Sequence, residues 1–160
     1  MATLIGAGSH ATDIAHTYMF SRHVPHHDQY TDDGQALIIG VNDPQLRARI
    51  SKQIDVLDNA WIHPDTFIGP ECSIGAGTHV NYAVTMTRTT VGEHCTIGPA
   101  ATICGDVRIG DRVLIGAGAT ICDRVTIGDD TTIGAGAVVL PTRTIPPGTT
   151  WVGVPAKQIR

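Results

Sequence analysis

From Val56 onward an aliphatic side chain returns every sixth residue, and this regularity decides what the chain can fold into. The series runs Val56, Ile62, Ile68, Ile74, Val80 and Met86, and steps once by five to Val91. It then resumes through Ile97, Ile103, Ile109, Ile115, Ile121, Ile127, Ile133, Val139 and Ile145. The next residue is usually glycine, as at Gly69, Gly75, Gly92, Gly98, Gly110, Gly116, Gly128 and Gly134. Four positions after the aliphatic residue stands a small or β-branched one, as at Cys72, Thr78, Cys95, Ala101, Val113, Ala119, Val125, Thr131 and Ala137. A period of six belongs neither to a helix nor to a plain alternating strand. It describes one short strand plus one turn, with the aliphatic residue pointing inward and glycine expected to supply the turn's backbone geometry. One such unit cannot bury its apolar face, whereas stacked units share a continuous core.

Composition agrees with that reading. The 160 residues allow one domain with a small appendage. Two Trp, three Tyr and two Phe are too few for a core built on rings, while 18 glycines suit many tight turns. A formal net charge of −4, with no basic stretch, argues against nucleic acid as a partner. The N-terminus lacks a basic region followed by an apolar run, and no stretch is long enough to cross a bilayer. The expectation is therefore a cytoplasmic protein without membrane attachment. The four cysteines form no C-x-x-C pair and no metal-ligand spacing, so they read as small, semi-buried side chains in a reducing compartment. Cys104 and Cys122 are eighteen residues apart, a stacking relationship.

Residues 1–59 follow another pattern. Thr3-Leu4-Ile5 reads as a short strand. Gly6-Ala7-Gly8-Ser9-His10-Ala11 then turns into a helix from about Ala11 to Ser21. A second strand over Ala36 to Ile39 leads through Gly40-Val41-Asn42-Asp43 into a helix from Pro44 to about Ile54, with proline in its first turn. The glycines would let the backbone approach a phosphate at a helix N-terminus, and the alternative is a tight turn without a ligand. A full dinucleotide domain needs far more chain, which excludes an NAD enzyme of the usual kind. The expected organisation is an abbreviated α/β unit over 1–59 and a β-helix over 60–160.

From about residue 60 to the ending Gly153-Val154-Pro155-Ala156-Lys157, the pattern resembles the hexapeptide-repeat acyltransferases. That resemblance implies a mainly β fold, a left-handed parallel β-helix in which three hexapeptides make one triangular coil, preceded here by the small Rossmann-like unit. The Gly-Ala-Gly-Ser-His turn, the Asp32-Asp33 pair, the Ile39-Gly40-Val41-Asn42 turn and Ile62-His63-Pro64 are similar to one subfamily. It comprises the bacterial N-acetyltransferases of nucleotide-linked 4-amino sugars and the related sialic-acid O-acetyltransferases. The resemblance implies acetyl-CoA as co-substrate, no metal, a nucleotide sugar as acceptor and a homotrimer. It implies nucleotide contacts at Gly8, Ser9, His10, Asp32, Asp33 and Asn42, although the loop between Asp33 and Ala36 is short for the family. It also implies acetyl-CoA contacts at Thr96, Gly105, Ala117 and Ala135, with Lys157 meeting a CoA phosphate.

Acyl transfer needs a base for the acceptor proton, donors for the oxyanion and a groove for the thioester. The subfamily's base is a histidine in a Glu-His-Asp-Cys-like stretch. Thr87-Arg88-Thr89-Thr90 stands there instead, at the five-residue step. Of the eight histidines, only His79 and His94 lie well inside the repeats. His79 is five residues after Ile74 and Thr96 five after Val91, so the two share a column on successive coils, about 5 Å apart. His79 is therefore the expected base and His94 the second candidate, against the alternative that both are structural. Arg88 occupies the family base's column and suits a phosphate or carboxylate of the acceptor, or is an exposed turn residue. Asn81 either positions the acceptor or ladders within the coil wall. The leading reading is acetyl transfer to the amine of a nucleotide-linked amino sugar. The rivals are an O-acetyltransferase and a non-catalytic β-helix that binds or scaffolds.

Overall fold

A computed structural model of the chain describes residues 2–5, 20–24, 36–39, 41–54 and 60–160. Near the N-terminus β1 (Ala2–Ile5) lies between β2 (Phe20–Val24) and β3 (Ala36–Ile39), parallel to both. Helix α1 (Pro44–Ile54) follows, with the bounds that its proline start and apolar spacing predict. The Asp43 carboxylate caps it, accepting from the Leu46 N–H at 2.9 Å. One expectation is corrected: the helix assigned up to Ser21 runs into β2, which already begins at Phe20. Phe20 and Val24 favour extended backbone, and pairing with β1 overrides the helical reading. The remainder of that expected helix and the Gly6–Ala11 turn lie outside the described residues.

From Trp61 the chain winds through five coils, each with three short strands. The first holds β4 (Trp61–Ile62), β5 (Phe67–Ile68) and β6 (Ser73–Ile74), and the second β7 (His79–Val80), β8 (Thr85–Met86) and β9 (Thr89–Val91). The third holds β10 (Thr96–Ile97), β11 (Thr102–Ile103) and β12 (Val107–Ile109), and the fourth β13 (Leu114–Ile115), β14 (Thr120–Ile121) and β15 (Thr126–Ile127). The fifth holds β16 (Thr132–Ile133), β17 (Val138–Val139) and β18 (Thr144–Ile145), followed by β19 (Thr150–Val152) and β20 (Lys157–Gln158). Like strands of successive coils pair in parallel and build three faces: β4-β7-β10-β13-β16-β19, β5-β8-β11-β14-β17 and β6-β9-β12-β15-β18. The periodic aliphatic residues end these strands and stack inside, as in the buried columns Val80-Ile97-Ile115-Ile133 and Met86-Ile103-Ile121-Val139. Val56, the start of the series, lies outside the described residues.

The five-residue step is absorbed at one corner. Only Thr87 and Arg88 separate β8 from β9, where Cys104, Gly105 and Asp106 separate β11 from β12. Strand pairing closes over the missing residue, and His79 pairs with Thr96 as the column arithmetic requires. Buried corner threonines are satisfied by backbone. The Thr78 hydroxyl donates to Gly92 O at 2.8 Å and accepts from the Cys95 N–H at 2.9 Å.

The expected role of the repeat glycines is also corrected. Left-handed backbone falls three residues after the aliphatic position, at Glu71, Ala83, His94, Ala100, Asp106, Arg112, Arg124, Asp130 and Thr142, and also at Arg88 after the short step. The glycine directly after the aliphatic residue answers to crowding between coils. A Cβ on Gly98 would lie 2.6 Å from Ala117 N, and one on Gly75 would lie 2.6 Å from Gly92 C.

At the far end β20 pairs antiparallel with β19 and ends the first face. Trp151 lies over the last coil, 9% exposed, with its indole N–H on Thr149 Oγ1 at 3.0 Å and Arg143 beneath the ring. It thereby covers the open edge of the last coil.

Candidate functional site

Trp61, His79 and Thr96 occupy adjacent outward positions on the first face, opposite the inward Ile62, Val80 and Ile97. Outward residues of a solenoid are ordinarily wet, yet these three are buried. Helix α1 reaches onto this face. Its inner stripe is Pro44, Arg47, Ile50 and Ser51, the i, i+3, i+6, i+7 spacing of a packed helix surface. Arg47 stands where that stripe calls for an apolar side chain, and it is fully buried. Its Nε donates to Gly77 O at 2.6 Å. Its Nη2 donates to His94 O at 2.8 Å, Cys95 O at 2.6 Å and Thr96 Oγ1 at 3.1 Å, and its Nη1 to Val41 O. The Thr96 hydroxyl in turn donates to Asn42 O at 2.8 Å. The geometry thus gathers His79, His94, Thr96 and Asn42, which sequence reasoning assigned to different tasks, around an arginine it did not single out. The signal was present in the helical spacing, which places Arg47 on the inward stripe.

His79 has no exposed surface and packs edge-on against Trp61, with ring centroids 5.9 Å apart. Thr96 is 3% exposed, and its hydroxyl bonds to Arg47 and Asn42. The segment 41–54 reaches Thr96 through Arg47 and Asn42, and Trp61 packs on His79.

His94 differs. It forms a left-handed corner (φ 54°) between the third and first faces and is only part-buried. Its N–H donates to Ala76 O at 2.8 Å and its carbonyl is held by Arg47. Burial and then the Arg47 guanidinium hold its imidazole below the usual histidine value. Arg112 acts in the same sense, while Glu93 and Asp111 pull upward. One coil on, Arg112 makes a two-pronged pair with Asp130, at 2.8 and 3.0 Å. The neighbouring Cys95 is buried, its Sγ 3.0 Å from Gly110 O, and burial pushes its thiol up to about 11. It is chemically quiet at neutral pH.

Arg88 stands at the shortened corner between the second and third faces, its Nε 3.2 Å from Asp106 Oδ1. Its guanidinium lies on Gly105, where a Cβ would overlap Nη2, and this buries Gly105. Arg88 and Asp106 line a shallow polar cleft of about 140 Å³ with Glu71, Thr90, Val107 and Arg108.

Ala117 and Ala135 lie exposed on successive coils at the corner between the first and second faces, joined by the Gly136 N–H to Ala117 O at 2.9 Å. A Cβ on Gly118 or Gly136 would meet nothing within 4 Å, so this corner is a small-residue strip open along its length. It suits an extended pantetheine-like chain, which needs backbone groups within reach. Asn81 donates from Nδ2 to Ile97 O at 3.1 Å. Lys157 is exposed on β20 at the end of the first face. Gly8, Ser9, His10, Asp32 and Asp33 lie outside the described residues. Among the described residues, no three His, Cys, Asp or Glu side chains converge as metal ligands.

Hexapeptide coils of this kind are shared with solved acetyltransferases. The chain belongs to the family of the GMPPB C-terminal domain, whose sequence model matches residues 46–148. No curated protein sequence matches it. Among solved structures it is similar to a mutant of perosamine N-acetyltransferase from Caulobacter crescentus in complex with CoA and GDP-perosamine. The identity is 25% and the TM-score 0.80, over 99% of this chain and 96% of that one. The acetyltransferase domain of PglB from Neisseria gonorrhoeae shares the fold at 22% identity and TM-score 0.79, over 99% and 98% of the two chains. WeeI from Acinetobacter baumannii does so at 19% and 0.80, over 99% of each.

Proposed function

We propose that this chain transfers the acetyl group of acetyl-CoA to the amine of a nucleotide-linked amino sugar. The supporting observation is the likeness, over nearly the whole of both chains, to an N-acetyltransferase held with CoA and GDP-perosamine. In this reading residues 1–59 hold the nucleotide, through Gly8, Ser9, His10, Asp32, Asp33 and Asn42, and residues 60–160 carry the transfer. The strip at Ala117 and Ala135 takes the pantetheine arm and Lys157 a CoA phosphate, while Asn81 and Arg88 face the acceptor. Three chains close into a trimer.

His94 is the base in this scheme. A part-buried imidazole kept neutral accepts the acceptor's N–H proton as its nitrogen attacks the thioester carbon. The tetrahedral oxyanion collapses, the C–S bond breaks, and the sulfur leaves with the proton returned from the imidazole. The test is CoA release from acetyl-CoA with GDP-, UDP- and dTDP-linked amino sugars, with products weighed by mass spectrometry. A gain of one acetyl group on an amine supports the reading, and a gain on a hydroxyl moves it to O-acetylation. Acetyl-CoA binding without turnover favours a non-catalytic binding protein, a second reading that rests on Arg88 standing in the family base's column and on the closure over Thr96.

A further inference from the structure

We propose that Arg47 is a positioning residue for His94, a clamp by which the N-terminal unit sets the geometry and charge state of the base. The inference rests on the assignment of His94 as the base. Gly77 and His94 are successive residues of one corner column, and the His94 N–H already bonds the coil before it at Ala76 O. Arg47 ties the same two coils together from outside, through Gly77 O and through the carbonyls of His94 and Cys95. Its Nη1 returns to Val41 O, just before α1, so one planar group fixes helix, corner and strand β10 at once. These bonds point in several directions from a rigid fork of five N–H donors. A lysine, with three donors on one nitrogen, cannot reproduce them. Burying a guanidinium is costly unless its donors are used, so the arrangement is either complete or absent. Because the clamp closes only when α1 is seated on the first face, it makes a competent His94 conditional on the N-terminal unit being docked.

The charged groups facing His94 are Arg47 from α1, Glu93 on its own turn, and Asp111 and Arg112 from the next coil. The residues before it in the column, Ala76 and Gly77, carry no charge. Arg47 is the strongest of these charges and opposes protonation of the imidazole. The test is NMR titration of the His94 ring in the full chain and in R47K, R47Q and R47M, beside the pH dependence of kcat. R47K keeps the charge but loses the fork: the His94 midpoint stays low while kcat falls about tenfold or more, with KM for acetyl-CoA within about twofold. R47Q and R47M lose the charge: the His94 midpoint rises, and the acid limb of kcat rises with it. If the neutral variants do not fold, R47K alone decides. A kcat that merely tracks the folded fraction, or a His94 midpoint unmoved in a folded neutral variant, overturns the proposal. H94Q separates the two ideas, since undiminished turnover in H94Q removes the base assignment while the ring titration still reports whether Arg47 sets its charge.

Discussion

Two glycines of one turn, Gly116 and Gly118, test the account of the coils. Gly118 has φ +65°, the value that ordinarily explains a glycine, yet a Cβ there would meet nothing within 4 Å. Ala100 occupies the same corner one coil earlier at φ 56°, so the fold already tolerates alanine in this conformation. For Gly118→Ala the left-handed backbone costs about 1–2 kcal/mol. Reduced freedom of the unfolded chain returns about 0.4–1 kcal/mol, leaving a net loss between zero and about 1.6 kcal/mol. Gly116 lacks the positive φ, but its Cβ would stand 2.7 Å from both Ala135 Cα and Gly134 C. Those are backbone atoms of the next coil, pinned by the Gly116 N–H to Ile133 O at 2.7 Å and the Gly136 N–H to Ala117 O at 2.9 Å. No side chain can swing aside, so the loss belongs at the upper end of overpacking, about 3 kcal/mol. In Tm that is about 6–12 °C for Gly116→Ala, against about 6 °C or less for Gly118→Ala. Urea and thermal unfolding followed by circular dichroism, at one protein concentration because assembly adds to stability, give both values. Equal losses, or a larger loss at Gly118, would refute the argument that stacking distance rather than turn geometry selects the glycine after each aliphatic residue.

Other consequences can be measured in the same variants. H94Q is expected to lower kcat by about 10²–10⁴-fold with little change in Tm, as CoA release and calorimetry will show. H79A removes a buried ring against Trp61, so it should cost about 2–4 kcal/mol in denaturant melts while kcat of the folded protein stays within a few-fold. The Arg112 hydrogen bond holds the Asp130 carboxyl below its ordinary value, so its stabilising contribution is present above that value and lost as pH falls through the folded pKa. The pair is partly exposed, so D130N costs within about 1 kcal/mol at pH 7, and its difference from wild type shrinks below pH 4 in a Tm series. Under native conditions a thiol reagent at pH 8 should spare the buried Cys95, with its thiol at about 11, and label it only after unfolding.

The solenoid was legible from Ile62 to Ile145 because each coil contacts only its neighbours, so a one-dimensional period is enough to fix a three-dimensional stack. Even the pairing of His79 with Thr96 across the five-residue step followed from counting. Counting failed where a second element covers the stack. Nothing in the hexapeptides tells that the outward side of Thr96 is occupied, because the occupant, Arg47, lies about fifty residues before it, in α1. The glycines misled for a related reason: their sequence position is a property of one coil, while the atoms that forbid a side chain belong to the next. The start of β2 was hidden because Phe-Ser-Arg-His-Val fits a helix end as well as a strand, and only its pairing with β1 decides.

The pairing step of 17 or 18 residues along the coils also bears on how the molecule assembles. Every coil closes a loop of nearly the same length, so each costs a similar chain entropy and none presents a long-range bottleneck. A short nucleus of adjacent coils can grow in either direction, one turn at a time. Growth stops where no strand remains to add, and those terminal turns are the first to fray. The two ends differ: a reversed strand, β20, closes one, while near the other the arginine of α1 ties the corners that lead into the second and third coils. On this view the Arg47 clamp is also the lock on the solenoid's first turns, and loosening it should open the molecule from that end.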